Sequence, residues 1–348
     1  MLYQQLGRTG LVVSRLAYGA MTFTMGNKAR PTLYKTDEDA ARAVIGKALD
    51  AGINFFDTAD VYTFGESEVL LGKVLSSHRR DVIISTKAGL RMGPVLTQRG
   101  LNRHHLFNSI EASLHRLGTD YVDVYIVHRD DPYTPLEETL QALDDIVRQG
   151  KARYLGFSNW PAWKVAAAME MQKANGWAPF SHGQMSYSLV ERDIEVEIVP
   201  MLRHFGLGLT AWSPLAMGFL SGRVTRETLN DPDSRFGNRY FNRFDPEARL
   251  MLVDQMREIA VRHGATVPQI AFAWLLSKDV LTSILIGAGN VEQLADNLGA
   301  VDVVLSDAEL ALLDAGAPPP SLYPMNFTDA IADQPVADAL ARKPGNPA

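Results

Sequence analysis

Asp57, Tyr62, Lys87 and His128 each stand where an apolar run gives way to a polar turn. Asp57 closes Ile53-Asn54-Phe55-Phe56, and Tyr62 lies in the turn beyond it. Lys87 closes Val82-Ile83-Ile84-Ser85-Thr86, and His128 closes Val124-Tyr125-Ile126-Val127. An acid, a phenol, an amine and an imidazole at the exits of three successive buried strands form a proton-transfer set. A free phenol titrates near ~10, too high for an efficient acid at neutral pH. A neighbouring ammonium stabilises phenolate and lowers that value. Lys87 supplies the ammonium, Asp57 holds it as counter-charge, and a neutral His128 can donate to a substrate oxygen. Such a set can polarise a carbonyl and protonate its oxygen while the carbon receives something else.

These groups converge only if the elements carrying them form one sheet. Residues 3–6 and 11–13 read as a hairpin across Gly7-Arg8-Thr9-Gly10. Eight strands follow, at 15–18, 53–56, 82–86, 122–127, 153–157, 181–185, 208–212 and 282–286. Helices fill the gaps. Thr36 is the expected cap of a helix opening at Asp37, with Val44, Ile45, Ala48 and Leu49 as its buried stripe and Gly52 beyond its end. Thr134-Pro135-Leu136-Glu137 sets out a cap, a first-turn proline and a box glutamate, and Gly150 ends that helix. Leu106, Ile110, Leu114 and Leu117 form the stripe of another, before Gly118. Repeated strand–helix units with near-continuous apolar strands imply a parallel sheet covered by helices. Eight of them favour an α/β fold of the closed (β/α)8 TIM barrel type, as a single domain over 1–348 with an N-terminal hairpin at 1–14. An open doubly wound sheet would carry a Gly-x-Gly-x-x-Gly turn after its first strand, and Gly19-Ala20-Met21-Thr22-Phe23 is no such turn. Two stretches break the rhythm. Residues 223–245 read as a long loop after the seventh barrel strand. Residues 316–348 read as an irregular tail, with seven of the chain's 18 prolines falling from Pro318 onward.

Composition narrows the function. The 348 residues are 46% hydrophobic, and the net charge is −6, which gives no global electrostatic case for nucleic acid. Without cysteine there is no disulfide, thiolate catalysis or Cys-ligated metal; no metal site is expected. No apolar run reaches the ~20 residues of a membrane span, and Met1-Leu2-Tyr3-Gln4-Gln5 does not read as a secretory signal. A cytoplasmic protein is expected.

The segments Gly52-Ile53-Asn54-Phe55-Phe56-Asp57-Thr58-Ala59-Asp60-Val61-Tyr62, Ile84-Ser85-Thr86-Lys87, Asp123-Val124-Tyr125-Ile126-Val127-His128 and Leu155-Gly156-Phe157-Ser158-Asn159-Trp160 resemble, in order, those of the aldo-keto reductase family. The likeness runs from the hairpin to about residue 315. It implies a (β/α)8 barrel and NADPH-dependent reduction of aldehydes and ketones. In that reading Tyr62 is the general acid, Lys87 and Asp57 tune it, and His128 orients the carbonyl. The resemblance further implies that Ser158, Asn159 and Gln184 hold the nicotinamide carboxamide and that Trp212 stacks on its ring. Ala20, Met21 and Asp57 are expected to contact the cofactor as well. Ser213, Pro214, Leu215, Ala216 and Gly218 belong to the loop that wraps the pyrophosphate, where small residues allow close backbone approach. Gly287, Gly289, Gln293 and Asn297 mark the adenosine end.

There the chain departs from the pattern, for many members carry Ser or Thr near Gly289 and a basic residue beside it. Arg223 and Arg235 are the cations that could grip a 2′-phosphate instead. NADPH is the expected cofactor and NADH the lesser choice. The substrate is expected to be a small-molecule carbonyl compound touching Tyr62, His128, Phe23 and Trp160. Its rim would be completed by Met21, residues 91–95 and Tyr323.

Taken singly, these residues are ordinary. A buried Lys–Asp pair is often structural, a lone histidine is usually a satisfied core residue, and Trp212 could simply pack. His104 and His105 read as solvent-facing. The functional reading rests on co-location. Two rivals stand beside it: a cofactor-sensing regulatory subunit with little turnover, and a phosphosugar isomerase or lyase built on the same barrel.

Overall fold

The structure, a computed structural model, describes residues 1–27, 29, 33–228, 246–331 and 333–341. Strands β1 (Tyr3–Gln5) and β2 (Val12–Ser14) pair antiparallel. Eight parallel strands then close a barrel: β3 (Leu16–Gly19), β4 (Phe55–Asp57), β5 (Ile83–Ala88), β6 (Val122–Val127), β7 (Ala152–Ser158), β8 (Phe180–Ser186), β9 (Gly208–Trp212) and β10 (Leu281–Ile286), with β10 returning to β3. The architecture expected from the alternating runs is therefore the one observed.

Helices α1 (Glu38–Asp50), α2 (Glu66–Leu75), α3 (Arg103–Leu117), α4 (Leu136–Arg148), α5 (Ala162–Asn175) and α6 (Ile198–Phe205) each follow one strand. Among the described residues, two helices, α7 (Pro246–His263) and α8 (Val267–Leu276), lie between β9 and β10, and α9 (Val291–Leu298) follows β10.

Strand periodicity sorts side chains between two cores. Ala17, Phe55, Ile83, Val124, Ile126 and Leu285 point into the barrel, while their neighbours Tyr18, Phe56, Ile84 and Tyr125 pack outward under the helices. Leu6 and Val13 of the hairpin join the inner cluster and so plug the N-terminal end of the barrel. The plug fits tightly: Gly7 has a φ of +59°, and a Cβ there would lie 2.3 Å from the Ser181 carbonyl oxygen. The same alternation carries functional side chains inward at the other end, since Asp57 continues from Phe55, Lys87 from Ile83 and Ser85, and His128 from Val124 and Ile126.

Local expectations shift in four places. Asp37, not Thr36, caps α1, accepting from the Ala40 amide at 3.0 Å. A carboxylate suits a helix N-terminus, while the buried Thr36 hydroxyl pairs with that of Thr22 at 2.9 Å. Thr134 does not cap α4; its hydroxyl donates to Asp131 Oδ2 at 2.7 Å, and Pro135 takes the cap position without a side-chain bond. His105 is buried, though His104 is exposed. The tail is not irregular throughout: after α10 (Asp307–Gly316), helices α11 (Met325–Ala330) and α12 (Gln334–Ala341) form. Pro324 directly precedes α11 and Pro335 lies in the first turn of α12, where a missing N–H costs nothing, so these prolines begin helices. Of the loop 223–245, positions 229–245 lie outside the described residues.

Candidate active site

Register brings the polar groups together. Asp57 lies beside Gly19 on one side and Ser85 on the other, Lys87 beside Ile126, Ser158 beside Gln184, and Ser186 beside Trp212. Lys87 is fully buried, and its ammonium is satisfied in three directions. Its Nζ donates to Asp57 Oδ2 at 2.5 Å, to the Thr58 carbonyl at 2.7 Å and to the Tyr62 hydroxyl at 3.3 Å. Asp57 Oδ1 accepts from Ser85 Oγ at 2.6 Å and, across the barrel, from Gln184 Nε2 at 3.0 Å. Ser85 was not among the sequence-derived candidates. The signal was there, because a residue two before Lys87 on a strand shares its face.

Electrostatics follows from this packing. Burial alone would push Lys87 down, but Asp57 and Tyr62 carry it above the ordinary lysine value and keep it charged. Burial raises Tyr62 above the ordinary phenol value, and the pull of Lys87 only partly offsets it. The ammonium does lower Tyr62 as expected, but desolvation of the phenolate outweighs it and the net shift is upward. Burial, followed by the charges of Lys87 and Arg129, holds His128 well below the ordinary imidazole value, so its ring is neutral near pH 7. Tyr62 and His128 meet edge to face with centroids 5.7 Å apart. Both keep an edge toward solvent while their polar groups lie deep among protein atoms. His128 Nδ1 is buried with no partner.

Next to this group lies a second set. Ser158 Oγ donates to the Gln184 carbonyl at 2.7 Å. Asn159 Nδ2 donates to Ser158 Oγ at 2.8 Å and to the His128 carbonyl at 3.0 Å, and Asn159 Oδ1 accepts from Trp212 Nε1 at 3.2 Å. Ser158, Asn159 and Gln184 are therefore wired into the first group through Asp57 and His128. Asn159, Ser213, Ala216 and Met217 all hold positive φ, as do Thr63 and Phe64 beside Tyr62. Among the described residues these six are the non-glycine positions in that strained region, and all lie in loops at the C-terminal barrel face, where strain marks functional sites.

The remaining candidates sit as follows. The Ala20 amide donates to the Asp57 carbonyl, and Met21 beyond it is half-buried. Pro214 and Leu215 lead into the 3-10 turn at Ala216–Ser221. Gly218 and Gly287 face open space where a Cβ would stand. Gln293 Oε1 accepts from the Gly289 amide at 2.9 Å, and Asn297 Nδ2 donates to the Gly287 carbonyl at 3.4 Å, so both hold the turn after β10. Arg223 is exposed just past that 3-10 turn, and Arg235 lies outside the described residues. Lys35 was missed by sequence reading: a Cβ on Gly289 would lie 3.8 Å from its Cε. Nothing in the local sequence of Lys35 announces that neighbour; only barrel closure brings it there.

Phe23 and Trp160, expected against substrate, are buried. Phe23 packs on Tyr18, and Trp160 packs edge-on to Phe180 at 5.7 Å, both on the helix side of the sheet. Large apolar rings just past a strand fold under the loops when an outer core is within reach. Val95 lines a cavity beside α3.

A closed parallel barrel with a buried lysine, a phenol and a neutral imidazole at its C-terminal mouth defines a class of barrel enzyme. The profile of the Aldo/keto reductase family matches residues 15–317. The chain is 36% identical over 313 residues to a probable voltage-gated potassium channel subunit beta of Oryza sativa subsp. japonica, covering 87% of this chain and 92% of that one. It is 35% identical over 333 residues to the uncharacterized oxidoreductase YrpG of Bacillus subtilis (92% and 97%), and 34% identical over 337 residues to an aldo-keto reductase of Fusarium vanettenii (90% of each). The chain belongs to the aldo/keto reductase family. That membership supports an oxidoreductase acting on small-molecule carbonyl compounds with a nicotinamide cofactor. No helix among the described residues is long and apolar enough to cross a membrane.

Proposed function

We propose that the protein reduces aldehydes or ketones to alcohols with NADPH, Tyr62 giving the proton. The observation that carries this reading is the chain of contacts from Asp57 through Lys87 Nζ to the Tyr62 hydroxyl. The bound nicotinamide would supply the hydride. As the carbonyl carbon receives it, the oxygen becomes strongly basic and takes the phenolic proton. Lys87, held charged by Asp57, stabilises the phenolate left behind. A raised Tyr62 value suits this role, because the phenol stays protonated until the developing alkoxide calls for it. Neutral His128 donates to the same oxygen and orients it.

The residues present fit the cofactor. Ser158, Asn159 and Gln184 offer donors and acceptors in fixed geometry for a carboxamide, and Trp212 offers a flat face. Gly218 and Gly287 leave room beside the backbone for phosphates. Lys35, near Gly289, and Arg223 are the cations we assign to the 2′-phosphate, which favours NADPH over NADH.

The test is Tyr62→Phe. Aldehyde-dependent NADPH consumption is expected to fall by roughly 10²–10⁴-fold, the usual worth of a general acid, while cofactor fluorescence titration is unchanged. Comparable turnover in the variant would overturn the assignment. A second reading, a cofactor-sensing regulatory subunit, draws on the rice relative's name. Tight NADPH binding with no turnover across a panel of aldehydes and ketones would favour it.

A further inference from the structure

Phe23 and Trp160 pack under the helices, so the body of a substrate held at Tyr62 must meet other side chains. Two large apolar residues near the proton donor stay open to solvent. Phe64, two residues past Tyr62, is 64% exposed, and Met25, on the loop after β3, is 61% exposed. A single exposed apolar side chain is ordinary. These two stand on loops that are tied to each other. The Thr63 hydroxyl donates to the Phe23 carbonyl at 2.7 Å. Glu66, the first residue of α2, accepts through Oε2 from Thr24 Oγ1 at 3.0 Å and from the Met25 amide at 2.7 Å.

The turn that presents Phe64 is strained. Thr63 and Phe64 have φ of 50° and 55°, a left-handed pair that side chains other than glycine and asparagine avoid. A β-branched residue such as Thr63 tolerates it least. Thr63 is nonetheless fully buried, and its neighbour Phe64 stands out in solvent. Gly65 then packs against α3, where a Cβ would lie 2.7 Å from Arg116 Cδ. Strain held this firmly beside a reacting group points to a use for the ring it exposes. An apolar side chain on a fixed backbone also loses little freedom when it gains a partner.

We infer, on the carbonyl-reductase reading above, that Phe64 and Met25 form an apolar lip of the substrate site and select carbonyl compounds with an apolar tail of several carbons. The carbonyl lies at Tyr62 and His128, and the tail runs outward across the joined loops. Each methylene covered there leaves water, a gain of about fourfold in affinity. Neither side chain offers a charge or a hydrogen-bond donor, so the lip grips by area. The unbranched Met25 can adjust to tails of different shape.

Nonanal and propanal, assayed with NADPH on the whole protein, separate the outcomes. In the parent, kcat/KM is expected to be roughly tenfold or more higher for nonanal, as two covered methylenes require. Phe64→Ala is expected to lower the nonanal-to-propanal ratio by roughly tenfold and Met25→Ala by roughly threefold, the loss falling on the KM for nonanal. Phe64→Leu, which keeps an apolar body, is expected to retain most of the ratio. A parent that turns over both aldehydes without preferring nonanal would overturn the inference and leave the reductase reading standing. So would a ratio that stays level in both alanine variants. Turnover of neither aldehyde by the parent, with NADPH bound, would overturn the reading itself and the inference with it.

Discussion

Tyr62 is pulled two ways: burial disfavours its phenolate and Lys87 favours it, with burial prevailing. His128 is depressed by burial and by the same lysine. The pH profile follows from these directions. Carbonyl reduction needs the phenol protonated and the imidazole neutral. Its kcat/KM is expected to lack a limb near the ordinary imidazole value of ~6.5 and to stay level to at least ~10. Alcohol oxidation needs the phenolate and is expected to climb throughout the alkaline range. A reduction limb near ~6.5 would mean that His128 titrates normally. A second residue-scale expectation concerns the cofactor. Lys35→Ala and Arg223→Ala are each expected to weaken NADPH by about tenfold with little effect on NADH, as loss of a phosphate contact does. Equal effects on both cofactors would remove either residue from the 2′-phosphate. Asp57, Tyr62, Lys87 and His128 were legible because each ends an apolar run or lies in the turn just past one. Lys35, Asp60 and buried His105 were not, since their significance depends on neighbours distant in sequence.

At the scale of elements, strands were easier to read than caps. Continuous apolar runs such as Val124-Tyr125-Ile126-Val127 must be buried on both faces, which leaves little freedom in where they lie. A cap is decided by one hydrogen bond, and Asp37 outcompeted Thr36 once Thr22 engaged the threonine. Helix contacts were invisible for a different reason. Gly72 in α2 reads as a weak point in a helix, yet a Cβ there would lie 2.2 Å from the Leu117 carbonyl oxygen at the end of α3. That neighbour is backbone and cannot swing aside. Gly72→Ala is therefore expected to destabilise by about 1–3 kcal/mol through overpacking, despite the better helix propensity of alanine. Urea denaturation checks it. A variant as stable as the parent would show that α2 and α3 can separate without cost.

Across the whole molecule, buried titratable groups of opposite sign shape stability against pH. Burial is the leading cause in each. It lowers His182 to about 3 and holds His128 well below its ordinary value, so the unfolded chain binds protons near ~6.5 that the folded one refuses. Stability from these groups rises with pH up to about 6.5. Asp60 works the other way. Its folded value is about 8 against 3.8 in the unfolded chain, so between those values the folded state holds a proton that the unfolded state has lost. Stability from Asp60 is full below 3.8 and falls as pH rises to about 8. Below about 6.5 the two trends oppose. From about 6.5 to 8 Asp60 alone among the shifted groups of the described residues changes the balance, because the histidines are neutral in both states and Lys87 and the tyrosines titrate higher. In that window the folding equilibrium is expected to weaken by up to about tenfold per pH unit, one proton's worth. Asp60→Asn is expected to level it, whatever the variant's absolute stability. Urea midpoints at constant slope, measured across the window, separate the two outcomes. An unchanged pH slope in the variant would mean that Asp60 is already ionised in the folded protein, held by a partner that its environment does not reveal.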